Sequence, residues 1–424
     1  MRSPLFLVTL LATGFAAALV APVGKAPAGK VPVGFSLEAS TRSGSKPSFV
    51  KALLAAKEKW DGAVSQEALK AFSLLDDDDG QVNVEPLDND AIYIADVKIG
   101  NPPQTVKIAI DTGSADFWVQ SSDTVYRYNP EGPWAPQYKP NMSRTSRRLR
   151  DATWDVSYVD GSHAHGSVYL DTVRMGGFEL KDTAIQSAQI VAMRFETNTE
   201  ITGIMGLAKN LSSNVTPQTP SLLDMLRPHL DNPVFTVDLR RNATGRFDFG
   251  HIDESRIKDN ITWVNTREDS PHWDVTFDMT AWNGQRRVWF AHTYEATIDT
   301  GTSLLFMPPS LAALYWYDVP GMRVDPRLSN SFTFPCQFAE GLPDLMFKMP
   351  GTDHILTIPG SYLNYGPVKN DPEYCWGGMQ SADTIGGVTI FGDVVLKALY
   401  VAFDLENNKV GFANKYLDDD DDDE

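Results

Sequence analysis

Apolar and polar residues alternate through 93–106, on both sides of the turn-forming sequence Gly-Asn-Pro-Pro at 100–103. Alternation with a period of two about a short turn predicts a β-hairpin. Strand-like sequence also flanks Asp-Gly-Ser within 154–168 and predicts a second, projecting hairpin. Helix is expected at 49–72, which is rich in Ala, Leu and Lys, and at 221–226. These patterns predict a mainly β body.

An apolar run that ends in Asp-Thr-Gly occurs twice, first at Asp111 and again at Asp299, 188 residues later. Each run predicts a buried strand. An apolar-apolar-Gly triplet follows each motif, at 204–206 and 390–392, so that its glycine lies 95 residues after Asp111 and 93 residues after Asp299. Nearly equal spacing of two matching features indicates an internal two-fold repeat.

Each motif carries a carboxylate at the end of a buried strand, and its glycine, Gly113 or Gly301, lets the backbone turn sharply. A buried carboxylate requires a partner, a hydrogen-bonding shell or a raised pKa. The neighbouring hydroxyls can form that shell: Thr112, Ser114, Thr300 and Thr302. Two carboxylates at close range cannot both ionise, so one can act as a base while the other holds a proton. A turn aspartate that only caps a loop is the alternative for one copy, but two matching copies favour the pair.

These motifs, in this order, resemble those of the pepsin-like aspartic protease family, of the fungal secreted endopeptidase type, over 88–416. The resemblance implies a bilobal pepsin-like fold, in which two related β-rich lobes enclose the active-site cleft. The residues that it implies for the site are the catalytic pair Asp111 and Asp299, the hydrogen-bonding hydroxyls of Ser114 and Thr302, and Thr112 and Thr300, which brace the two loops. Polypeptide substrates are expected, with no cofactor and no metal, and two motifs in one chain predict a monomer.

The second hairpin resembles the flap that closes over substrate in this family. By this resemblance Tyr158 is the flap tyrosine, Trp118 is its hydrogen-bond neighbour, and Asp160 helps to accept a lysine before the cleaved bond. Val159 departs from the family, which usually has glycine at this position. Because a β-branched residue is stiffer, we expect Val159 to narrow the motion of the flap or the adjoining subsites.

Residues 1–18 predict a secretory signal peptide, because Met1 and Arg2 precede a short apolar run that ends in small residues. An N-terminal anchor is the alternative, although the run is short for a membrane span. The expected destination is extracellular, with the vacuole as the alternative. The acidic run 418–424 is expected to be a disordered tail, and it lacks the apolar end of a lipid-anchor signal.

Residues 19–80 are predicted to form a propeptide. The first 75 residues carry nine basic and four acidic side chains, whereas the rest of the chain carries 28 and 51. A basic leader on an acidic body suggests electrostatic docking, with the propeptide as the chain's own inhibitor. The Pro-, Gly- and Ala-rich opening of the leader predicts irregular backbone. Lys59-Trp60 resembles the Lys-Tyr pair that covers the two aspartates in pepsin-like zymogens, so Lys59 is the predicted plug. A helical leader that only assists folding is the alternative.

The predicted lobes are 81–265 and 266–417. The sequence contains two cysteines, Cys336 and Cys375, and an even pair in a secreted chain favours one disulfide, with two free thiols as the alternative. Their spacing resembles that of the second-lobe disulfide of pepsin-like enzymes. Five sequons predict glycosylation, at Asn141, Asn210, Asn214, Asn242 and Asn260.

The chain has 55 acidic and 37 basic residues, a formal net charge of -18. This balance argues against a nucleic-acid partner and fits a protein that works in acid. The sequence has no His-Glu-x-x-His motif and no Gly-x-Ser-x-Gly motif, which argues against a metalloprotease and a serine hydrolase. A catalytically weak or inactive binding or inhibitor protein on the same fold is the remaining alternative. The presence of Asp111, Asp299 and Tyr158 favours an active enzyme.

Overall fold

The structure is a computed structural model, and part of the chain is described in it. The described residues are 34–40, 48–60, 92–127, 132, 135–157, 163–191, 193–196, 200–209, 213–241, 243–283 and 288–417. Their strands form four sheets. The predicted signal peptide and acidic tail lie outside these residues.

The leader contributes one strand and one helix, β1 (Phe35–Ala39) and α1 (Phe49–Trp60). The Pro-, Gly- and Ala-rich opening that is expected to be irregular lies before Gly34, outside the described residues. The sequence analysis did not predict β1, where buried Phe35, Leu37 and Ala39 alternate with more exposed residues. This alternation fits a strand with one buried face. The predicted helix begins at Phe49 as expected, and its part beyond Trp60 lies outside the described residues.

The first lobe is built on an eight-stranded sheet with the spatial order β2-β3-β8-β4-β7-β6-β5-β9. Its elements are β2 (Ile94–Ile99), β3 (Gln104–Asp111), β4 (Phe117–Gln120), β5 (Arg147–Ser157), β6 (His163–Met175), β7 (Phe178–Ile190), α2 (Met193–Glu196), β8 (Gly203–Gly206), β9 (Val215–Thr216) and α3 (Leu222–Leu226). Strand β2 also pairs with β6, which folds the sheet back on itself.

The local predictions for this lobe are confirmed. β2 and β3 form the predicted antiparallel hairpin, in which Ile99 pairs with Gln104. β5 and β6 form the arms of the second hairpin, although its tip lies outside the described residues. The predicted short helix is α3, which begins with a capping box between Ser221 and Asp224.

Three further strands lead out of the first lobe: β10 (Val234–Asp238), β11 (Gly245–Phe249) and β12 (Thr262–Asn265). The second lobe then follows. Its elements are β13 (Asp274–Trp282), β14 (Val288–Ile298), β15 (Leu305–Met307), α4 (Pro309–Tyr317), β16 (Arg323–Asp325), β17 (Ser331–Pro335), β18 (Leu345–Lys348), β19 (Leu356–Ile358), β20 (Asn364–Val368), β21 (Asp371–Gly377), β22 (Met379–Ser381), β23 (Ile390–Phe391) and α5 (Asp393–Leu396). The chain continues into β24 (Leu399–Asp404) and β25 (Lys409–Asn414).

Short 3-10 helices connect many of these strands. They lie at Pro140–Met142, Arg227–His229, Glu254–Arg256, Pro326–Leu328, Cys336–Gly341, Gly360–Leu363 and Ala382–Ile385. The second lobe contains a seven-stranded sheet, β19-β18-β13-β14-β23-β15-β22, and a four-stranded sheet, β16-β17-β21-β20. Each lobe therefore has its own large sheet, as the bilobal prediction requires.

A six-stranded sheet joins segments that are far apart in the sequence, in the order β1-β11-β10-β24-β25-β12. The leader strand β1 lies at its edge, paired antiparallel with β11. There the ring of Phe35 stacks between Phe178 and Phe249, with ring centroids 5.0 and 4.8 Å away. The leader is thus part of the same hydrophobic core as the two lobes.

Cys336 and Cys375 form a disulfide in the second lobe, with their Cα atoms 5.0 Å apart, so the predicted pairing is confirmed. It ties the turn after β17 to β21. Among the described residues, no helix is long and apolar enough to span a membrane.

Candidate active site

Asp111 and Asp299 occupy equivalent places at the ends of central strands. Asp111 is the last residue of β3, which runs parallel to β8, and Asp299 directly follows β14, which runs parallel to β23. The two predicted apolar-apolar-Gly triplets thus lie beside the two Asp-Thr-Gly loops. Both carboxylates are buried: Asp111 is 6% exposed and Asp299 is 0% exposed. We call these two residues the dyad.

Each dyad carboxylate accepts two hydrogen bonds from its own loop. The amide of Gly113 donates to Asp111 Oδ1 at 2.8 Å, and the hydroxyl of Ser114 donates to Asp111 Oδ2 at 2.6 Å. In the second loop, the amide of Gly301 and the hydroxyl of Thr302 donate to the two oxygens of Asp299. These hydrogen bonds fix the orientation of both carboxylates in a water-poor surround.

The two loops are locked together by a reciprocal pair of threonines. The amide of Thr112 donates to the Thr300 hydroxyl at 3.1 Å, and the amide of Thr300 donates to the Thr112 hydroxyl at 3.0 Å. The Thr112 hydroxyl donates to the carbonyl of Ile298, and the Thr300 hydroxyl donates to that of Ile110, both at 2.8 Å. These buried hydrogen bonds hold the two strand ends in one register, so the carboxylates of different lobes meet.

Glycine is required after each catalytic-loop threonine because the opposite carboxylate approaches closely. A Cβ atom on Gly113 would lie 2.5 Å from Asp299 Oδ1, and one on Gly301 would lie 2.4 Å from Asp111 Oδ1. Both distances are far below ordinary contact. Each glycine therefore makes room for the carboxylate of the other lobe.

The ammonium group of Lys59, near the end of α1, lies between the two dyad carboxylates. Its Nζ atom is 2.7 Å from Asp111 Oδ1 and 2.9 Å from each oxygen of Asp299. The helix is held against the second lobe by Phe49, whose ring stacks on Trp376 with centroids 4.3 Å apart. Lys57 of the same helix donates to the carbonyl of Thr384.

These contacts move the three pKa values in different directions. Burial opposes the charge of Lys59, but the two carboxylates outweigh it and raise the pKa of the ammonium. Burial would also raise the pKa of Asp111, but the charge and hydrogen bond of Lys59, with the Ser114 hydroxyl, lower it. The pKa of Asp299 is raised, first by burial and further by the facing charge of Asp111. In this arrangement the dyad thus carries negative charge that Lys59 neutralises.

Two further residues lie beside the dyad: Trp60 of the predicted Lys59-Trp60 pair, and His272, which the sequence analysis missed. The indole of Trp60 donates from Nε1 to the Thr302 hydroxyl at 3.0 Å. Its ring packs edge to face against the imidazole of His272, with centroids 5.2 Å apart. His272 precedes a buried tryptophan and a strand, and its sequence context offers no signal that separates it from an ordinary loop histidine.

Asp116, another residue that the sequence analysis missed, braces the first loop from behind. Its carboxylate is 7% exposed and accepts hydrogen bonds from Gln186 and from the backbone and side-chain amides of Asn214. The Asn214 side chain is therefore engaged in the structure. The other described sequon residues, Asn141 and Asn260, are exposed.

The remaining predicted site residues are only partly described. Tyr158, Val159 and Asp160 lie outside the described residues, as do the sequon residues Asn210 and Asn242. Trp118 is 2% exposed and packs against the rings of Trp154 and Phe195. Among the described residues, no group of three or more His, Cys, Asp or Glu side chains is arranged to hold a metal ion.

Two β-rich lobes that each supply one Asp-Thr-Gly loop to a facing carboxylate pair define the aspartic protease class. A model of the eukaryotic aspartyl protease family matches residues 92–415. The chain therefore belongs to this family, and it is an aspartic-type endopeptidase, a hydrolase that acts on polypeptides.

Several fungal proteases are similar to the chain over most of its length. Podosporapepsin of Podospora anserina is 35% identical over 359 residues, which are 84% of this chain and 81% of that protein. Endothiapepsin of Cryphonectria parasitica is 36% identical over 339 residues, 79% of this chain and 78% of that protein. Penicillopepsin-1 of Penicillium janthinellum is 35% identical over 329 residues, 77% of this chain and 96% of that protein.

Proposed function

We propose that the chain is made as a zymogen and that its mature form hydrolyses peptide bonds at acidic pH by a two-aspartate, activated-water mechanism. One observation carries this proposal: a single atom, Lys59 Nζ, lies within 2.9 Å of both dyad carboxylates. Two carboxylates that reach one point can hold a water molecule there once the ammonium has left.

In the proposed reaction, the dyad holds one proton between its two carboxylates. The ionised carboxylate takes a proton from the water, whose oxygen attacks the peptide carbonyl carbon. The protonated carboxyl gives its proton to the carbonyl oxygen, which forms a tetrahedral intermediate. As the bond from carbon to nitrogen breaks, the amine takes a proton from the dyad and the hydroxyl proton returns to it. No covalent intermediate with the protein is needed.

The docked leader supports the zymogen part of the proposal. A substrate carbonyl cannot approach the dyad while Lys59 is bound to both carboxylates. The basic leader is attracted to the acidic body. Protonation of the dyad in acid removes negative charge beside Lys59 and so weakens the attraction that holds it in place. Cleavage of the chain at a bond within 75–85 would then release the leader and open the cleft.

The finer points of the proposal rest on the sequence. Residues 1–18 act as a signal peptide for secretion, 19–80 act as the inhibitory propeptide, and 81–265 and 266–417 form the two lobes. One chain supplies both aspartates, so a monomer is sufficient for catalysis. Exposed Asn141 and Asn260 are the best-placed acceptors for glycans among the described sequons.

The deciding experiment is digestion of a denatured protein at acid pH by the purified chain after acid treatment, with and without pepstatin. We expect cleavage that pepstatin abolishes and that an Asp111→Asn variant lacks. The ends of the fragments would report on the proposed role of Asp160 in accepting lysine. No cleavage by a chain that has lost its leader would favour the binding or inhibitor protein on the same fold.

A further inference from the structure

The indole of Trp60 fills a space beside the second catalytic loop. It donates to the Thr302 hydroxyl at 3.0 Å, and that hydroxyl in turn donates to Asp299. Its ring also packs against the imidazole of His272, whose ring plane is inclined by 63° to the indole. Because Trp60 belongs to the leader, its removal leaves a space that fits a side chain, lined by His272 and Thr302 and next to the dyad.

His272 is held in place from several directions. Its backbone amide donates to the Ser270 hydroxyl at 3.1 Å. The next residue, Trp273, is 1% exposed, and its indole donates to the carbonyl of Leu207 at 2.8 Å. The carbonyl of Trp273 accepts the amide of Ile298, directly before Asp299. The backbone at His272 is therefore fixed relative to the reacting groups, as a selective subsite requires.

One nitrogen of this imidazole has no hydrogen-bond partner. Nδ1 of His272 is buried, and it neither donates nor accepts a hydrogen bond among the described residues. An unpaired buried polar atom destabilises the fold. If packing against the Trp60 indole were the only role of this side chain, an apolar ring would serve it without that cost. A histidine here is explained if its nitrogen finds a partner after the leader has left.

Departure of the leader would take one positive charge away from His272. In the docked state, burial is the main cause that lowers the pKa of His272; the charge of Lys59 also lowers it, while Asp274 and the two dyad residues raise it. Loss of the leader removes both the covering indole and the ammonium. The carboxylates remain, so the open cleft favours the imidazolium in acid.

We propose that the space filled by Trp60 is a side-chain subsite of the mature cleft and that His272 makes this subsite select an acidic substrate residue. The inference rests on the proposed peptidase function and adds a substrate preference to it. The imidazolium donates a hydrogen bond to the substrate carboxylate. Both groups are charged between about pH 4.3 and about pH 6.5, the ordinary pKa values of Glu and His.

The test uses the mature, acid-processed enzyme and pairs of peptides that differ only by Glu against Gln. Glu or Gln is placed directly before the cleaved bond in one pair and directly after it in another, and kcat/KM is measured from about pH 4 to about pH 8, across the ordinary pKa values of Glu and His. An apolar peptide, cleaved in a pepstatin-sensitive way, is the reference. At one of the two positions we expect Glu to exceed Gln by about tenfold near pH 5, as one charge-assisted hydrogen bond would give. The ratio should fall towards one above pH 7.

Two variants assign the preference to the imidazole. His272→Phe should remove the Glu preference, whereas His272→Lys should keep it and extend it above pH 7, because its cation persists. The inference is overturned if the ratio of kcat/KM for Glu over Gln is near one at both positions in the unaltered enzyme, or if His272→Phe leaves that ratio unchanged. In either case, cleavage of the reference peptide would still uphold the proposed function. If the reference peptide is not cleaved, the proposed function fails and the inference falls with it. If His272→Phe does not fold, the His272→Lys variant still tests the inference, through the pH at which its preference for Glu is lost.

Discussion

Replacing Lys59 by Met in the full chain should weaken the docking of the leader and make that docking less dependent on pH. Loss of one partner from a buried ion pair costs about 3–5 kcal/mol. The Lys59 side chain is 20% exposed, and the dyad can share a proton once the ammonium is absent, so we expect about 2–3 kcal/mol here. This corresponds to an opening equilibrium about 30- to 150-fold more favourable.

The expected sign of the pH effect follows from the proton linkage between Lys59 and the dyad. Lys59 lowers the pKa of both Asp111 and Asp299, so the open dyad binds protons more readily than the docked one. Docking therefore strengthens as pH rises and weakens as pH falls. For Asp111, whose docked pKa lies below the ordinary value of 3.8, the stabilisation is present above about pH 4 and is lost as pH falls through the lowered pKa. The raised pKa of Asp299 is due first to burial, which Lys59→Met does not change.

The assay is the rate of leader loss from pH 3 to pH 7, followed on gels and by mass spectrometry at several protein concentrations. Lys57→Met is the matched control, because Lys57 lies in the same helix but bonds to a backbone carbonyl instead of the dyad. We expect it to accelerate leader loss by a similar factor at every pH. Lys59→Met should accelerate it most near neutral pH. If Lys59→Met also accelerates leader loss by the same factor at every pH, the coupling of Lys59 to the dyad is refuted.

Three further predictions concern the body of the enzyme. Asp299→Asn should lower kcat about 10³-fold or more without unfolding the protein, measured with a pepstatin-sensitive peptide; substantial residual activity would contradict the mechanism. Thr112→Val should lower the free energy of unfolding by about 2 kcal/mol in urea titrations, while Thr112→Ser should retain most of it. Replacing Cys336 and Cys375 by Ser opens a loop with a sequence separation of 39 and should cost about 4 kcal/mol; an unchanged melting temperature would refute this.

The two catalytic loops were predictable because their chemistry is local and repeated. A strand end, a glycine and a hydroxyl suffice to build the hydrogen-bonding shell of each carboxylate. The structure adds the reason for the glycine in each apolar-apolar-Gly triplet. A Cβ atom on Gly206 would lie 2.4 Å from the carbonyl oxygen of Ser114, and one on Gly392 would lie 2.1 Å from that of Thr302. The returning strands lie so close to the loops that only glycine fits.

Long-range pairing was not predictable in the same way. The six-stranded sheet brings together the leader strand β1, the strands that leave the first lobe, and the late strands β24 and β25. Which of these segments pair depends on the placement of both lobes, which no local pattern encodes. Apolar Phe35 and Leu37 alternate with polar residues, which is typical of a strand. The strand was not predicted because it directly follows a Pro- and Gly-rich sequence. His272 was missed for a related reason, since its importance comes from a neighbour 212 residues away in the chain.

The dyad is nearly symmetric in its own loops, and the leader makes it asymmetric. Each carboxylate accepts one backbone amide and one hydroxyl, yet Trp60 bonds only to Thr302, and Lys59 approaches Asp111 more closely than Asp299. The opposite directions of the two aspartate pKa values therefore describe the docked state. In the proposed mature form, the carboxylates would be distinguished by their difference in burial and by the side chains around each loop. His272 and Thr302 both contact Trp60, which places His272 on the Asp299 side of the dyad. In the proposed subsite, His272 would therefore maintain an asymmetry of the open cleft through the substrate side chain that replaces Trp60.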